Sequence, residues 1–240
     1  MKHGFVHSFE TGAAVDGPGV RFALFLSGCP LRCLYCHNPD TWDMKRGTYM
    51  SSDAVFLEIK KYANFLRKAG GLTITGGDPL AQPDFTHTIF QKVKTELQLH
   101  TALDTQGHLA KNLSDQWFDP VDLVLLDIKI MNKTKHIMLT GQALQPNLDL
   151  ALRLEKLQKK VWLRYVLVPG LTDDTEDIER LAQFIAPLQN IEKIEVLPFH
   201  NLGAHKWEEL KLNYTLKNQK APTEKQVQEV QDYLENYKKK

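Results

Sequence analysis

Cysteine is scarce in this sequence. The 240 residues include three cysteines, and all three lie within one stretch of eight residues, as Cys29, Cys33 and Cys36. An odd number of cysteines without distant partners argues against a framework of disulfides and favours a reducing compartment or an oxygen-poor cell. We therefore expect the three thiols to act together at one place.

Long apolar runs and a large net charge are also missing. The formal net charge is +1 and hydrophobic residues make up 42% of the chain, which is ordinary for a soluble globular protein and gives no indication of nucleic-acid binding. No stretch approaches the roughly 18 apolar residues of a membrane span, and no apolar run near Met1 indicates a signal peptide. We expect a cytoplasmic protein without a nucleic-acid or membrane partner, and we interpret residues 238–240 as a solvated basic tail.

The spacing of the cysteines, C-x-x-x-C-x-x-C, favours a metal centre. A structural zinc ion requires four ligands, so these thiolates would hold zinc only if His37 joined them. An iron–sulfur cubane has four irons and is held by thiolates, so three cysteines would leave one iron open to another molecule. We favour the open cluster, and a binding module that is stabilised by zinc is the alternative.

Apolar runs alternate with segments of helical periodicity along most of the chain, which predicts an α/β fold. Residues 11–19 are rich in glycine and are expected to be irregular, as are residues 201–222. Thr223 is expected to open a last helix. The predicted strands are 20–27, 72–75, 100–104, 122–126, 161–168 and 191–197, and the intervening helices are 51–69, 84–97, 109–117, 146–159 and one that begins at Thr172 or Asp173.

Six strands that are separated by helices predict an open partial (β/α)6 barrel. We expect one domain over residues 1–240, with a core at about 20–200 and a C-terminal helical extension at about 201–240. Five of the six strands end in polar or glycine-rich groups, and active sites form at the carboxyl ends of parallel strands. We therefore expect these groups to meet around the cysteines: Gly76-Gly77-Asp78-Pro79, Asp104-Thr105, Asp127-Ile128-Lys129 and His200.

Each of these groups also has a plainer interpretation. The glycines after the second strand suit an ordinary turn, and Asp104 or Asp127 suits a cap of the following segment. His200 suits a turn, and Tyr35 and His37 suit packing within the cysteine loop. The oxygen donors at the ends of the third and fourth strands would together suit a hard cation beside a carboxylate-bearing cofactor.

The cysteine motif resembles that of the radical S-adenosylmethionine enzymes. This resemblance implies a [4Fe-4S] cluster on the three cysteines, with S-adenosylmethionine chelating the open iron. It also implies that the backbone of Gly76 and Gly77 contacts the methionine end of that cofactor, where Asp78 replaces the usual glutamate. The remaining residues expected at S-adenosylmethionine are Tyr35, Cys36, His37, Asp127, Ile128, Lys129 and His200, with Lys129 near its carboxylate.

Over nearly its full length, the sequence resembles the family of pyruvate formate-lyase-activating enzymes. Gln106 departs from the asparagine that is common in this family. The resemblance implies a barrel of the radical S-adenosylmethionine type and reductive cleavage of the cofactor to a 5′-deoxyadenosyl radical, which takes a hydrogen atom from a backbone glycine of pyruvate formate-lyase. The shared phrases are His7-Ser8-Phe9-Glu10, residues 15–22, residues 33–38, Asp40-Thr41-Trp42-Asp43, Leu103-Asp104-Thr105, Arg164-Tyr165-Val166, Val168-Pro169-Gly170 and His205-Lys206-Trp207.

The same resemblance implies further partners. A flavodoxin or ferredoxin would supply the electron, and Asp104, Thr105 and Asp127 would hold a monovalent cation near the cofactor carboxylate. Residues 12–21 and 205–207 would lie near the glycine-bearing loop of the partner enzyme. No cysteine-rich insertion follows the cluster motif, which favours the pyruvate formate-lyase type over an activase of another glycyl-radical enzyme. A radical enzyme that acts on a small molecule is a further alternative.

Overall fold

The structure is a computed structural model, and it describes residues 1–239. Over that range it contains eight strands and eight α-helices. The strands are β1 His3–Ala13, β2 Val20–Leu26, β3 Thr48–Ser51, β4 Gly70–Gly76, β5 Thr101–Thr105, β6 Leu123–Asp127, β7 Lys160–Leu167 and β8 Ile191–Pro198. The helices are α1 Ser52–Lys60, α2 Ala63–Ala69, α3 Pro83–Lys92, α4 Lys133–Thr140, α5 Gln145–Lys156, α6 Thr175–Ile185, α7 Ala204–Glu209 and α8 Glu224–Lys238. Within residues 1–239, no helix is both long and apolar enough to cross a membrane.

The strands form one sheet in the order β3-β1-β2-β4-β5-β6-β7-β8. β2 pairs in parallel with β4, β4 with β5, and β7 with β8. All six predicted strands are present, displaced by no more than two residues at their ends. β1 and β3 are additional strands, and they pair antiparallel at one edge of the sheet.

β1 corrects one prediction. Residues 11–13 were expected to be irregular, but they lie in this strand. Most side chains of β1 are exposed or half-exposed, so it lacks the apolar alternation by which a strand is recognised in a sequence. Backbone pairing with β2 holds it instead, with Glu10 opposite Ala23 and Ala13 opposite Arg21.

The start of α6 corrects a second prediction. Asp174 caps this helix, and its side chain accepts a hydrogen bond from Asp177 N, whereas the sequence pointed to Thr172 or Asp173. Those two side chains serve the preceding turn, because Thr172 Oγ1 accepts from Val168 N at 2.7 Å and Asp173 accepts from Gly170 N. Because Thr172 and Asp173 are engaged with this turn, Asp174 is the residue that caps the helix.

Two helices were not predicted. α4 buries His136, Leu139 and Thr140 but exposes the apolar side chains of Ile137 and Met138, so its sequence lacks a clear apolar face. α7 lies in the segment that was expected to be irregular, and its six residues are too few to establish a period. The last helix does begin after Thr223, as predicted, with a capping box.

The described chain divides into two compact units. The first comprises Met1–Pro30 and Thr41–Leu125, and the second comprises Leu31–Asp40 and the chain from Leu126 onward. Cys29 therefore belongs to the first unit, and the other two cysteines belong to the second. The expectation of a single domain stays a prediction.

A buried arginine ties together three segments of the first unit. Arg21 on β2 is fully buried, and it donates hydrogen bonds to Thr73 Oγ1 at 2.5 Å, Leu72 O at 2.6 Å and Pro18 O at 3.1 Å. Burial lowers the pKa of Arg21 to about 10, against the opposing effect of two aspartates, so the guanidinium is still charged at neutral pH. Arg21 thereby fixes the turn before β2 against β4.

The core of the second unit is built from β7, β8, α6 and α8. Tyr165 on β7, Leu181 on α6 and Leu234 on α8 are fully buried in one cluster. Ile128, just after β6, belongs to the same cluster. The C-terminal helix thus covers a hydrophobic core that the central strands of the second unit could not bury alone.

Candidate functional site

In the first unit, the segment that carries Cys29 lies against the turn that follows β4. Gly28 O accepts a hydrogen bond from Asp78 N at 2.7 Å, and Leu26 O accepts one from Gly77 N at 2.8 Å. A Cβ on Gly77 would lie 2.4 Å from Gly28 O, so only glycine permits this approach. The structure thus brings the ends of the first two predicted strands together.

The buried side chain of Asp78 links the turn after β4 to the turn after β5. It accepts hydrogen bonds from Leu80 N at 2.8 Å, Thr105 Oγ1 at 3.0 Å and Gln106 Nε2 at 2.6 Å. Gln106 Oε1 in turn accepts from His108 N at 2.8 Å. Burial raises the pKa of Asp78 to about 7, although the hydrogen bonds oppose the shift. The side chain of Asp78 therefore serves the protein's own structure.

Two of the three residues expected at a cation are engaged in the first unit. Asp104 Oδ2 accepts a hydrogen bond from Thr75 Oγ1 at 2.7 Å, and Thr105 Oγ1 donates to Asp78 while accepting from Gly107 N. Within the described range, no three His, Cys, Asp or Glu side chains are gathered tightly enough to hold a single metal ion. The cation site stays a prediction.

The contact between Asp78 and Gln106 can be tested by exchanging one methylene group between the two side chains. We expect Asp78→Glu to overfill its buried position and Gln106→Asn to leave the carboxylate short of a donor, so each variant should lower the free energy of unfolding by about 1–3 kcal/mol. The double variant Asp78→Glu/Gln106→Asn preserves the combined length, and it should recover much of the loss through a coupling of about 0.5–3 kcal/mol. Chemical denaturation at about pH 8, where the carboxyl of Asp78 is mostly ionised, measures all four proteins.

An exposed pair of the same residue types is the matched control. Asp149 on α5 accepts a hydrogen bond of 2.9 Å from Gln145, and the same exchange there should change stability by less than about 0.5 kcal/mol. If the double variant at positions 78 and 106 loses as much stability as its two single variants combined, the two side chains are not a matched pair.

In the second unit, Cys33 and Cys36 lie on a loop that is held by α4. The backbone N–H groups of Arg32 and Leu34 donate to the last two carbonyl groups of α4, at 2.7 and 3.0 Å. Cys36 N donates to Cys33 O at 3.1 Å and closes a turn between the two cysteines. All three cysteines of the chain are thiols rather than disulfides, so each is able to bind metal after losing its proton.

The thiol of Cys33 is buried beside a lysine. Burial raises the pKa of Cys33 to about 12; Lys129 opposes the shift, and Cys36 and Asp127 add to it. The thiol is therefore protonated at neutral pH in the protein without metal. Because a coordinating thiol must be deprotonated, metal binding at Cys33 releases a proton, and the charge of Lys129 favours that release.

Lys129 is paired with Asp127 in a nearly buried position. Its Nζ lies 2.7 Å from Asp127 Oδ2, with 12% of the lysine side chain exposed, and 5.8 Å from the centre of the Tyr35 ring. Burial alone would lower the pKa of Lys129, but Asp127, Tyr35 and Cys33 raise it well above its usual value. Lys129 therefore stays charged and neutralises Asp127.

Two histidines stack beside the cysteine loop. The ring centroids of His37 and His200 are 4.0 Å apart with planes 17° apart, and His37 Nε2 lies 2.9 Å from His200 O. Burial, together with His200, lowers the pKa of His37, so its ring is neutral at neutral pH and donates from Nε2. The buried Tyr35 Oη and His200 Nδ1 find no hydrogen-bond partner within residues 1–239.

Two residues that were not predicted in the site donate hydrogen bonds to residues that were. One residue that was predicted there has its side chain elsewhere. Gln106 donates to Asp78, and Trp207 Nε1 donates to Cys36 O at 2.9 Å. No sequence signal connects Trp207 to Cys36, because 171 positions separate them. The side chain of Ile128, which was expected at the cofactor, lies in the hydrophobic core.

Comparisons with known proteins identify the family of the chain. Residues 15–155 match the family model described as a 4Fe-4S single cluster domain. The chain is 42% identical to the pyruvate formate-lyase-activating enzyme of Staphylococcus aureus strain USA300, over 100% of this chain and 98% of the relative. It is 41% identical to that of Staphylococcus epidermidis, over 98% of this chain and 96% of the relative.

Solved structures give the same picture. A domain of the pyruvate-formate lyase-activating enzyme from Bacteroides vulgatus is 25% identical with a TM-score of 0.57, over 70% of this chain and 95% of that one. Streptococcus suis SuiB bound to S-adenosylmethionine is 15% identical with a TM-score of 0.63, over 89% of this chain and 49% of that one. At that identity, SuiB shows the fold alone.

The fold and the matched cluster domain define a 4Fe-4S protein with an open partial (β/α)6 barrel of the radical S-adenosylmethionine type. The chain belongs to the family of pyruvate formate-lyase-activating enzymes. As a member of this family it is an enzyme, a radical S-adenosylmethionine oxidoreductase whose cofactors are the [4Fe-4S] cluster and S-adenosylmethionine. The predictions of fold class, family and these two cofactors are confirmed.

The residues present suit these cofactors. Cys33 and Cys36 are neighbouring thiols, and the charged Lys129 beside Cys33 favours the thiolate of that residue. The unsatisfied Tyr35 Oη and His200 Nδ1 are buried polar atoms that call for a polar partner. A nucleoside-bearing cofactor carries such groups.

Proposed function

We propose that this chain activates pyruvate formate-lyase by generating a radical on one of its glycines. The observation that carries the proposal is the 42% identity, over the whole chain, to relatives of that name. When bound, the cluster and S-adenosylmethionine supply a reductive cleavage that gives methionine and a 5′-deoxyadenosyl radical, which takes a hydrogen atom from a backbone glycine of the partner. A flavodoxin or a ferredoxin supplies the electron.

The chain's own residues bind and orient these groups. Cys29, Cys33 and Cys36 hold the cluster as thiolates, and the positive charge of Lys129 favours the ionised form of Cys33. Buried groups beside the cysteine loop, with two polar atoms still unsatisfied, support an assignment to the adenosine part of the cofactor. The proposed contacts to S-adenosylmethionine are made by Tyr35, Cys36, His37, Gly76, Gly77, Asp127, Lys129 and His200, and by the backbone of Asp78 and Ile128, whose side chains contact the protein itself.

A monovalent cation completes the proposal. Asp104, Thr105 and Asp127 are its proposed ligands, because carboxylate and hydroxyl oxygens suit hard cations. Asp104 would share its carboxylate between the cation and Thr75, and Asp127 would share its carboxylate between the cation and Lys129.

Transfer of the radical to pyruvate formate-lyase is the decisive test. Anaerobic reconstitution should give a brown protein with about four irons per chain, as expected for a cubane. After reduction, mixing with S-adenosylmethionine and pyruvate formate-lyase should produce a glycyl radical that electron paramagnetic resonance detects. The same mixture without S-adenosylmethionine is the control and should give no radical.

Other results would assign another function. Formation of 5′-deoxyadenosine without a radical on pyruvate formate-lyase would point to another glycyl-radical enzyme or to a small-molecule substrate. A colourless protein that takes up zinc on Cys29, Cys33, Cys36 and His37, and no iron, would reject radical chemistry.

A further inference from the structure

Residues 200–214 form a continuous series of contacts with the second half of the cysteine loop, residues 36–40. The two segments belong to the same unit, although more than 160 positions separate them in sequence. Each contact uses a different kind of interaction, and together they reach four of the five residues from 36 to 40. Long-range contacts that collect on one short loop restrict its backbone far more than its own sequence does.

The first contact is made by a buried tryptophan. Trp207 is 5% exposed, and its Nε1 donates to Cys36 O at 2.9 Å. Tyr214 stacks on the indole with ring centroids 4.9 Å apart, and Tyr214 Oη donates to Asn201 Oδ1 at 3.0 Å. The stacked Tyr214 therefore restrains the indole on one face, while the indole N–H group donates to the backbone of Cys36.

The second contact is made by a lysine. Lys206 Nζ lies 2.8 Å from Asn38 Oδ1 and 3.0 Å from Asp40 Oδ2, and both charged side chains of the pair are largely buried. A charge-assisted pair in such surroundings is stronger than one in open solvent. The lysine therefore holds the end of the loop while the tryptophan holds its middle.

The third contact lies between them. His37 stacks on His200, and a Cβ on Gly203 would lie 2.6 Å from His37 O. The backbone at position 203 is thus pressed against the loop, which a larger residue would prevent. Residues 36, 37, 38 and 40 are each held by the same C-terminal segment.

We propose that Trp207 and Lys206 are positioning residues that keep the loop of Cys33 and Cys36 in its cluster-binding shape before iron arrives. The inference rests on the proposed function only in taking these cysteines as cluster ligands. It also divides the sequence His205-Lys206-Trp207, which the family resemblance placed near the partner enzyme. His205 and the neighbouring Leu202 are exposed and stay available to a partner, whereas the two residues after His205 face the loop.

The variant Trp207→Phe removes the N–H group and keeps an aromatic ring. In the metal-free protein, amide hydrogen exchange of Cys36, His37, Asn38 and Asp40 should become about 3-fold to 10-fold faster, as expected for the loss of one hydrogen bond. In the reconstituted protein, release of iron to a chelator should become about 10-fold to 100-fold faster, the usual effect of losing a partner outside the ligand set. Both measurements are independent of catalytic activity.

Lys206 provides a second, independent variant. Lys206→Met should accelerate exchange at Asn38 and Asp40, and Lys206→Arg, which keeps the charge and the donors, should restore much of the protection. Trp162→Phe is the matched control. Trp162 lies on β7, away from the loop, and its ring centre is 4.4 Å from Nζ of Lys193 on β8. Neither exchange in the loop nor iron release should change in this control.

Two results would overturn the inference. One is unchanged exchange and unchanged iron release in both Trp207→Phe and Lys206→Met. The other is faster exchange throughout the second unit, including the strands β7 and β8, which would mean general destabilisation. A wild-type protein that binds no iron would instead overturn the proposed function, and the exchange comparison in the metal-free protein would still decide the role of these residues.

Discussion

The Cys33→Ala variant should form almost no 5′-deoxyadenosine. Loss of an interaction outside the ligand set already costs about 10-fold to 100-fold in metal affinity, so loss of a thiolate ligand should cost considerably more. Cys33 is buried and protonated in the metal-free protein, so its removal should leave the fold intact. Iron content, visible absorption and the yield of 5′-deoxyadenosine after reduction measure the effect.

Ser27→Ala is the control for this prediction. Ser27 lies just after β2, and its buried Oγ has no hydrogen-bond partner among residues 1–239, so its removal should change neither iron content nor product yield. A Cys33→Ala protein that retains about four irons and the wild-type yield would show that Cys33 is not a cluster ligand.

The Arg21→Met variant should lose about 2–4 kcal/mol of its free energy of unfolding. The guanidinium satisfies Thr73 Oγ1 and the carbonyl oxygens of Leu72 and Pro18, and a buried acceptor that loses its donor costs about 1–3 kcal/mol. Part of that cost is offset because a buried charge no longer has to be desolvated. Chemical denaturation of the metal-free protein measures the difference.

Arg46→Met tests whether the loss is specific to the buried position. Arg46 is exposed, so its replacement should change stability by less than about 0.5 kcal/mol. An Arg21→Met protein as stable as Arg46→Met would mean that the turn at residues 16–18 does not depend on the guanidinium. Because family resemblance places residues 12–21 near the partner, the internal role of Arg21 should be measured before its effect on activity is interpreted.

The central strands could be predicted because they are buried on both faces. The strand β6, for example, is a short apolar run between two aspartates, and such a run has few other uses in a globular protein. β1 and β3 lie at the edge of the sheet, where exposed side chains obey no apolar pattern. These two strands are defined by backbone hydrogen bonds to neighbouring strands, and the sequence alone does not show which strands will be neighbours.

The site divides in a similar way. The spacing of the cysteines predicts a metal centre without help from the fold, because three thiols so close together have little structural purpose. The hydrogen-bond and ion-pair partners of the other site residues could not be predicted from the sequence. Lys129, expected at the cofactor carboxylate, pairs with Asp127, and the side chain of Asp78 is held by Thr105 and Gln106. Such pairings depend on distances in the folded chain that the length of each side chain must match to within one methylene group.

The order in which this chain is synthesised imposes a delay on cluster assembly. The loop of residues 31–40 is made early, but it belongs to the unit that otherwise begins at Leu126, and Cys36 meets Trp207 only 171 residues later. At about 5–20 residues per second, roughly 10–30 seconds of translation separate the two. During that time the thiols are exposed on a nascent chain without a fixed shape, so iron delivery should follow the release of the finished chain.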